Sequence, residues 1–155
     1  WRLGFSYASA EVSQKFTALQ SQMTSNVSTP SQVAALEAFT NFDEARASIE
    51  KMGIAFTRRR DLAMSRIDEL LPGVEYTRPS GAFYVYFRVD SFFDAEVQDA
   101  SAWCSRLLEE KGVALVPGAA FGDDRWVRMS FAASDEMLED AFSRIAAMVG
   151  AAETA

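Results

Sequence analysis

Among the 155 residues, the segment Arg125-Trp126-Val127-Arg128-Met129-Ser130-Phe131-Ala132 has the clearest chemical content: an arginine set into an apolar, β-forming run. Strand alternation sends Trp126, Arg128 and Ser130 to one face and Val127, Met129 and Phe131 to the other. The second set is core. A guanidinium is effectively never deprotonated, so Arg128 among apolar neighbours requires a planar anionic partner, either a carboxylate of the protein or one carried by a ligand. Composition alone favours the internal ion pair. Arg2 raises the same question beside the small residues Gly4 and Ser6, where a surface arginine is the plainer reading. Gly118 to Gly122 is glycine-rich, but no Lys-Ser/Thr pair follows, as a nucleotide phosphate loop requires, so it reads as a tight turn between two strands.

The chain contains no histidine, which removes Ser-His-Asp and Cys-His catalysis and imidazole metal sites from it. Its single Cys104 cannot close an internal disulfide and reads as a buried thiol of a cytoplasmic protein. With 22 acidic against 15 basic residues and arginines scattered along the chain, nucleic acid is not the expected partner. The one basic cluster, Arg58-Arg59-Arg60, falls within a helical pattern and reads as a solvated face. No apolar run approaches the ~20 residues that cross a bilayer and no signal peptide opens the chain, so neither a membrane partner nor export has support. An apolar content of 49% is enough for a real core.

These groups need elements to place them. Residues 2–8 mix aromatic and small side chains like a strand, and Ser9 and Glu11 announce a short helix through Lys15 and Leu19. The polar stretch from Ser21 to Pro30 favours turns and caps, with Ser28 or Thr29 opening a helix over Gln32 to Ala38 and Pro30 at its first position. Asn41 or Asp43 then caps a long helix, since Ala45, Ile49, Met52, Phe56, Ala63, Ile67 and Leu70 recur at three- and four-residue steps until Pro72-Gly73. At ~1.5 Å per residue this helix reaches roughly 45 Å, which suits a connector between two lobes. Beyond Tyr76 the pattern predicts a strand over Ala82 to Phe87 after the turn Pro79-Ser80-Gly81. A helix from Asp99 to Lys111 with Trp103, Leu107 and Leu108 on one face follows, stopped by Gly112; then come a buried strand at Val113 to Val116 and the strand at Arg125 to Ala132. The last helix opens at Ser134, buries Leu138, Ala141, Phe142, Ile145 and Val149, and closes at Gly150.

Three segments, taken together, point to a family. Trp1-Arg2-Leu3-Gly4-Phe5 resembles the W-R-x-G-Y segment just after the Schiff-base lysine of class I and II aminotransferases, the fold-type I family that includes aspartate aminotransferase. Pro79-Ser80-Gly81-Ala82-Phe83-Tyr84-Val85 is similar to its P-x-G-A-F-Y motif. Val116 to Gly122, followed by Val127 to Ala132, is similar to its V-P-G-x-x-F-G and I-R-x-S-[FY]-A segments. Phe5 stands where the family has tyrosine, a change that keeps the aromatic ring.

The resemblance implies the C-terminal part of a pyridoxal-phosphate-dependent aminotransferase, an α/β fragment of the fold-type I transferase fold. Residues 1–40 would end the large cofactor domain, 41–71 form the connecting helix, 72–150 make a small α+β domain, and 151–155 fray. It gives Arg128 the α-carboxylate of the amino acid or 2-oxo acid substrate, and Arg2 the phosphate of pyridoxal 5'-phosphate. Ser25 and Asn26 would lie at the interface of a homodimer, near the neighbouring active site. The Schiff-base lysine would lie upstream of Trp1, because Lys15, Lys51 and Lys111 sit in no such motif. A start at Trp1, in the middle of a strand-like run, is likewise what a piece of a longer protein would show, and the piece alone is expected to be inactive. Two other functions share the resemblance: a pyridoxal-phosphate lyase of the same fold, and the ligand-sensing aminotransferase-like domain of a transcription regulator.

Overall fold

The computed structural model describes residues 3–152. Trp1, Arg2 and the end of the expected frayed tail lie outside the described residues. The chain divides into two compact units, Trp1–Met52 and Gly53–Ala155.

The first unit is helical. Residues 3–9 form no strand, contrary to expectation, since aromatic and small side chains cannot make a strand without a paired neighbour to take their backbone groups. Helix α1 (Ala10–Met23) starts where Ser9 Oγ accepts a hydrogen bond from the Val12 amide at 3.5 Å, and it runs into the polar stretch expected to be turn. Helix α2 (Thr29–Thr40) is flanked by Ser28, so Pro30 is its second residue rather than its first; a missing N–H is harmless at either place. Helix α3 (Phe42–Leu70) has the expected length and stops just before Pro72-Gly73, where Gly73 takes a φ of 82°. Its apolar stripe is buried only in the later turns, at Ala63, Met64 and Ile67.

The second unit is built on a four-stranded antiparallel sheet of order β1-β2-β4-β3, comprising β1 (Tyr76–Thr77), β2 (Tyr84–Arg88), β3 (Val116–Pro117) and β4 (Trp126–Ser130). Strand β2 begins two residues later than predicted because Ala82 is left-handed, with a φ of 59°, and belongs to the turn. The predicted strand at 113–116 shrinks to β3: Val113 is buried ahead of it, while Val116 is partly exposed. Alternation holds in the central pair, where Val85, Phe87, Val127 and Met129 are buried and their neighbours are not.

Helices α4 (Ala100–Lys111) and α5 (Asp135–Ala152) pack on that buried face. Helix α4 is capped by the Asp99 carboxylate, which accepts from the Ala102 amide at 2.8 Å, and ends at Gly112 with a φ of 67°. Trp103, Cys104 and Leu107 face inward, whereas Leu108, expected in the core, is 52% exposed because one further residue turns it about 100° away from Leu107. Helix α5 buries Leu138, Phe142, Ile145 and Val149 and continues past Gly150. With Ala63, Ile67 and Leu71 these side chains form one core, each large one contributing roughly 1.5–3 kcal/mol by leaving water. Arg58 and Arg59 are not simply solvated, since both reach Asp135 at the start of α5 and hold its carboxyl below the usual range.

Candidate functional site

The face of the sheet opposite the helices carries the chemistry. The β2–β4 register sets Tyr86 opposite Arg128, Tyr84 opposite Ser130 and Arg88 opposite Trp126, while β3 brings Val116 beside Arg128. Arg128 is half-buried there, as the alternation required. Its guanidinium carbon lies 4.3 Å from the centre of the Tyr84 ring and 4.5 Å from that of Phe121, within range of cation–π attraction to both.

A tight turn delivers Phe121. The 3-10 segment Gly118–Phe121 ends at Gly122, whose φ of 98° lets the chain double back. Gly118 has no room for a side chain: a Cβ there would sit 2.2 Å from the Asp123 carbonyl oxygen and 2.5 Å from both the Trp126 carbonyl oxygen and Tyr86 Oη. Tyr86 closes the arrangement by donating to the Asp123 carbonyl at 3.4 Å, stacking on Trp126 at 5.1 Å and meeting Phe121 edge-on at 6.3 Å. Desolvation raises its phenol pKa, which keeps that proton in place. The glycine-rich segment is therefore the turn that its sequence suggested.

Every other described arginine is in an ion pair. Arg66 is held by Glu139 and Glu69, Arg88 by Asp90 and Glu75, and Arg106 by Asp94 and Glu96. Arg46, Arg58, Arg59, Arg60, Arg78, Arg125 and Arg144 also have carboxylate partners within 4.0 Å. Asp123, close to Arg128 in the chain, is taken by Arg125 through bonds of 2.9 and 2.6 Å, with its carboxyl held down at about 2 chiefly by that contact. Arg128 alone among the described arginines has no carboxylate. The internal ion pair that composition favoured is absent among the described residues.

Tyr84, Tyr86 and Phe121 escaped the sequence reading. For the tyrosines a usable signal existed, because alternation along β2 puts them on the face that pairs with Arg128. Phe121 had none, since only the folded turn brings it there.

Ser25 and Asn26 belong to the other unit. Ser25 follows α1 in a left-handed conformation, with a φ of 60°, and Asn26 Oδ1 accepts from Gln32 Nε2 at 3.2 Å. Both line a groove of about 840 Å³ together with Leu3, Phe16, Val33 and Leu36. Arg2, the residue expected at a phosphate, is outside the described residues. A pyridoxal phosphate site also needs a lysine amine. Lys15 and Lys51 are exposed on α1 and α3, and Lys111 ends α4, which packs against the other side of the sheet from Arg128. None of these three lysines lies on the face of the sheet that carries Arg128. Cys104 is a structural thiol, pushed up to about 11 by burial. Among the described residues no helix is long and apolar enough to cross a membrane.

The sheet, with helices on one face and Arg128 on the other, carries the second and third of the three motifs. The chain belongs to the aminotransferase class I and II family, whose description matches residues 1–145. It is 42% identical over 153 residues to an aspartate/prephenate aminotransferase of Cereibacter sphaeroides, covering 95% of this chain and 37% of that protein. To the aspartate/prephenate aminotransferase of Thermus thermophilus it is 40% identical, covering 98% of this chain and 38% of the relative. Among solved structures, aspartate aminotransferase from Thermus thermophilus with maleate superposes with a TM-score of 0.79 at 39% identity, over 89% of this chain and 34% of that one. An aromatic aminotransferase from Pyrococcus horikoshii gives 0.86 at 29% identity, over 100% and 40%. The resemblance drawn from the motifs, and with it the fold class, is borne out; the chain spans well under half the length of these relatives.

Proposed function

We propose that the protein exchanges an amino group between an L-amino acid and a 2-oxo acid with pyridoxal phosphate, and that Arg128 holds the α-carboxylate of either substrate. The observation that carries this is the unpartnered, half-buried guanidinium in a chain whose other described arginines all have carboxylates. A planar fork gripping a carboxylate through two parallel hydrogen bonds fixes where the rest of the substrate lies; a lysine, as a point charge, does not. The names of the relatives, and the dicarboxylate maleate on one of them, support the same reading.

When bound, pyridoxal phosphate supplies the electron sink for chemistry at the substrate's Cα. This chain's part is to orient and to bind. Arg128 anchors the carboxylate, and the rings of Tyr84 and Phe121 lie against its guanidinium at 4.3 and 4.5 Å. We assign Arg2 to the cofactor phosphate, where a permanent positive charge stabilises a dianion, and Ser25 and Asn26 to the interface of a homodimer. The lysine that carries the cofactor is none of Lys15, Lys51 and Lys111, so this chain by itself turns nothing over. Residues 1–40 belong with a large cofactor domain, 41–71 form the connecting helix and 72–150 the small domain.

The test is amino transfer from aspartate to 2-oxoglutarate by the protein carrying this sequence, loaded with pyridoxal phosphate. Arg128→Lys is expected to lower kcat/KM about 100-fold, the scale of losing a desolvated, hydrogen-bonded charge pair. An unchanged kcat/KM sinks the assignment, and release of ammonia and pyruvate from serine or cysteine, with no amino transfer from aspartate, moves it to a lyase.

A further inference from the structure

We infer that Phe121 and Tyr84 are positioning residues, whose rings hold the Arg128 guanidinium so that its N–H edge faces a planar carboxylate. This rests on the reading of Arg128 as the substrate's carboxylate holder and says how that arginine is kept ready.

A half-buried arginine usually owes its orientation to a protein carboxylate, and the other described arginines do so, as with Arg88 on Asp90 at 2.7 Å. A carboxylate at Arg128 would occupy the same N–H groups that a substrate needs. An aromatic ring works differently, because it attracts the cation through the face of the guanidinium and leaves the in-plane donors free. The Arg128 guanidinium carbon lies over the Tyr84 ring at 4.3 Å and over the Phe121 ring at 4.5 Å, and neither ring brings a carboxylate oxygen to its N–H groups. Ring and ligand therefore do not compete for the same side of the group.

Both rings are themselves fixed. Phe121 is 49% exposed, an unfavourable place for a large apolar side chain, yet it is held by a turn whose first residue admits no Cβ and by the edge of Tyr86. Tyr84 is tied by its β2 pairing with Ser130 and by Phe83, whose ring lies 4.5 Å from its own and stacks on Phe56 at 5.9 Å. The orientation of Arg128 is thus set by two supports that come from separate parts of the chain, and it exists before any ligand arrives.

The experiment uses the protein carrying this sequence, loaded with pyridoxal phosphate, with maleate as an unreactive dicarboxylate and aspartate as substrate. Phe121→Leu is expected to raise both the Kd for maleate and the KM for aspartate by roughly tenfold, the size of one partly desolvated cation–π contact, with a smaller change in kcat. Phe121→Tyr, which keeps a ring, recovers most of that affinity. In ligand-free protein the Arg128 Nε–H resonance, identified by its loss in Arg128→Lys, is expected upfield from ring currents and moves downfield in Phe121→Leu. A folded Phe121→Leu that binds maleate like the unsubstituted protein overturns the proposal. If that variant does not fold, the Nε–H position in the unsubstituted protein decides, and an unshifted resonance overturns it equally. Should Arg128→Lys bind maleate undiminished, the assignment of Arg128 itself has failed, a result separable from failure of the rings alone.

Discussion

The two units use their apolar residues in opposite ways. In the second, Trp103, Phe87, Phe131 and Phe142 are fully buried in one cluster with the strands and helices around them. In the first, Phe16, Leu19, Leu36 and Phe39 are all exposed, and Ser31 is the one described residue that is buried. Helix α3 shows the contrast within a single element: Ile49 and Met52 lie in solvent while Ala63 and Ile67, on the same stripe, are inaccessible. A periodic apolar stripe says which side of a helix wants cover; whether cover exists is a tertiary fact. Stability in this chain accordingly belongs to the second unit.

The sharpest way to break that contrast is truncation in each unit. Phe142→Ala is expected to destabilise by about 3–5 kcal/mol through lost burial and a cavity, whereas Leu36→Ala changes stability by about 0.5 kcal/mol or less. Urea unfolding followed by tryptophan fluorescence reads both, and equal losses would contradict the assignment of the core. Next in size is Gly118→Ala, which forces a Cβ against two carbonyl oxygens and the Tyr86 hydroxyl. It should cost about 1–3 kcal/mol by overpacking and displace the Phe121 turn, visible as changed Tyr86 and Trp126 resonances. A variant as stable as the parent would mean that the turn gives way easily. The smallest effect is acidic. Asp94 in the second unit is held at about 2, first by its hydrogen bond from Arg106 and then by the Val97 and Glu96 amides. Because the folded-state value is depressed from 3.8, this contribution is complete above about pH 4 and fades as pH falls towards 2. Asp94→Asn should therefore flatten the loss of stability over that window, and an unaltered acid limb would remove the pair from the account.

Much of the second unit was legible from residues alone. Period-two alternation at 126–131 correctly separated Val127, Met129 and Phe131 from Arg128, because one face of a half-covered strand must be apolar. Asp99 and Gly112 marked the ends of α4 through capping chemistry that acts within a few residues. Errors arose where distant chain decides. Residues 3–9 have strand composition but no described partner strand; Arg58 and Arg59 looked solvated until α5 brought Asp135 to them. At the site, Arg128 was found as a residue needing an anion, yet that its neighbours would be the rings of Tyr84 and Phe121 depended on sheet register and a turn. Local pattern carries neither.

Cys104 gives the second unit a built-in clock. A thiol sealed under α4 and shifted to about 11 carries almost no thiolate near neutrality, so alkylating reagents react with it negligibly while the helix is seated. Its labelling rate consequently counts the moments when α4 lifts from the sheet, and a ligand that locks the opposite face would slow that count without ever touching the sulfur.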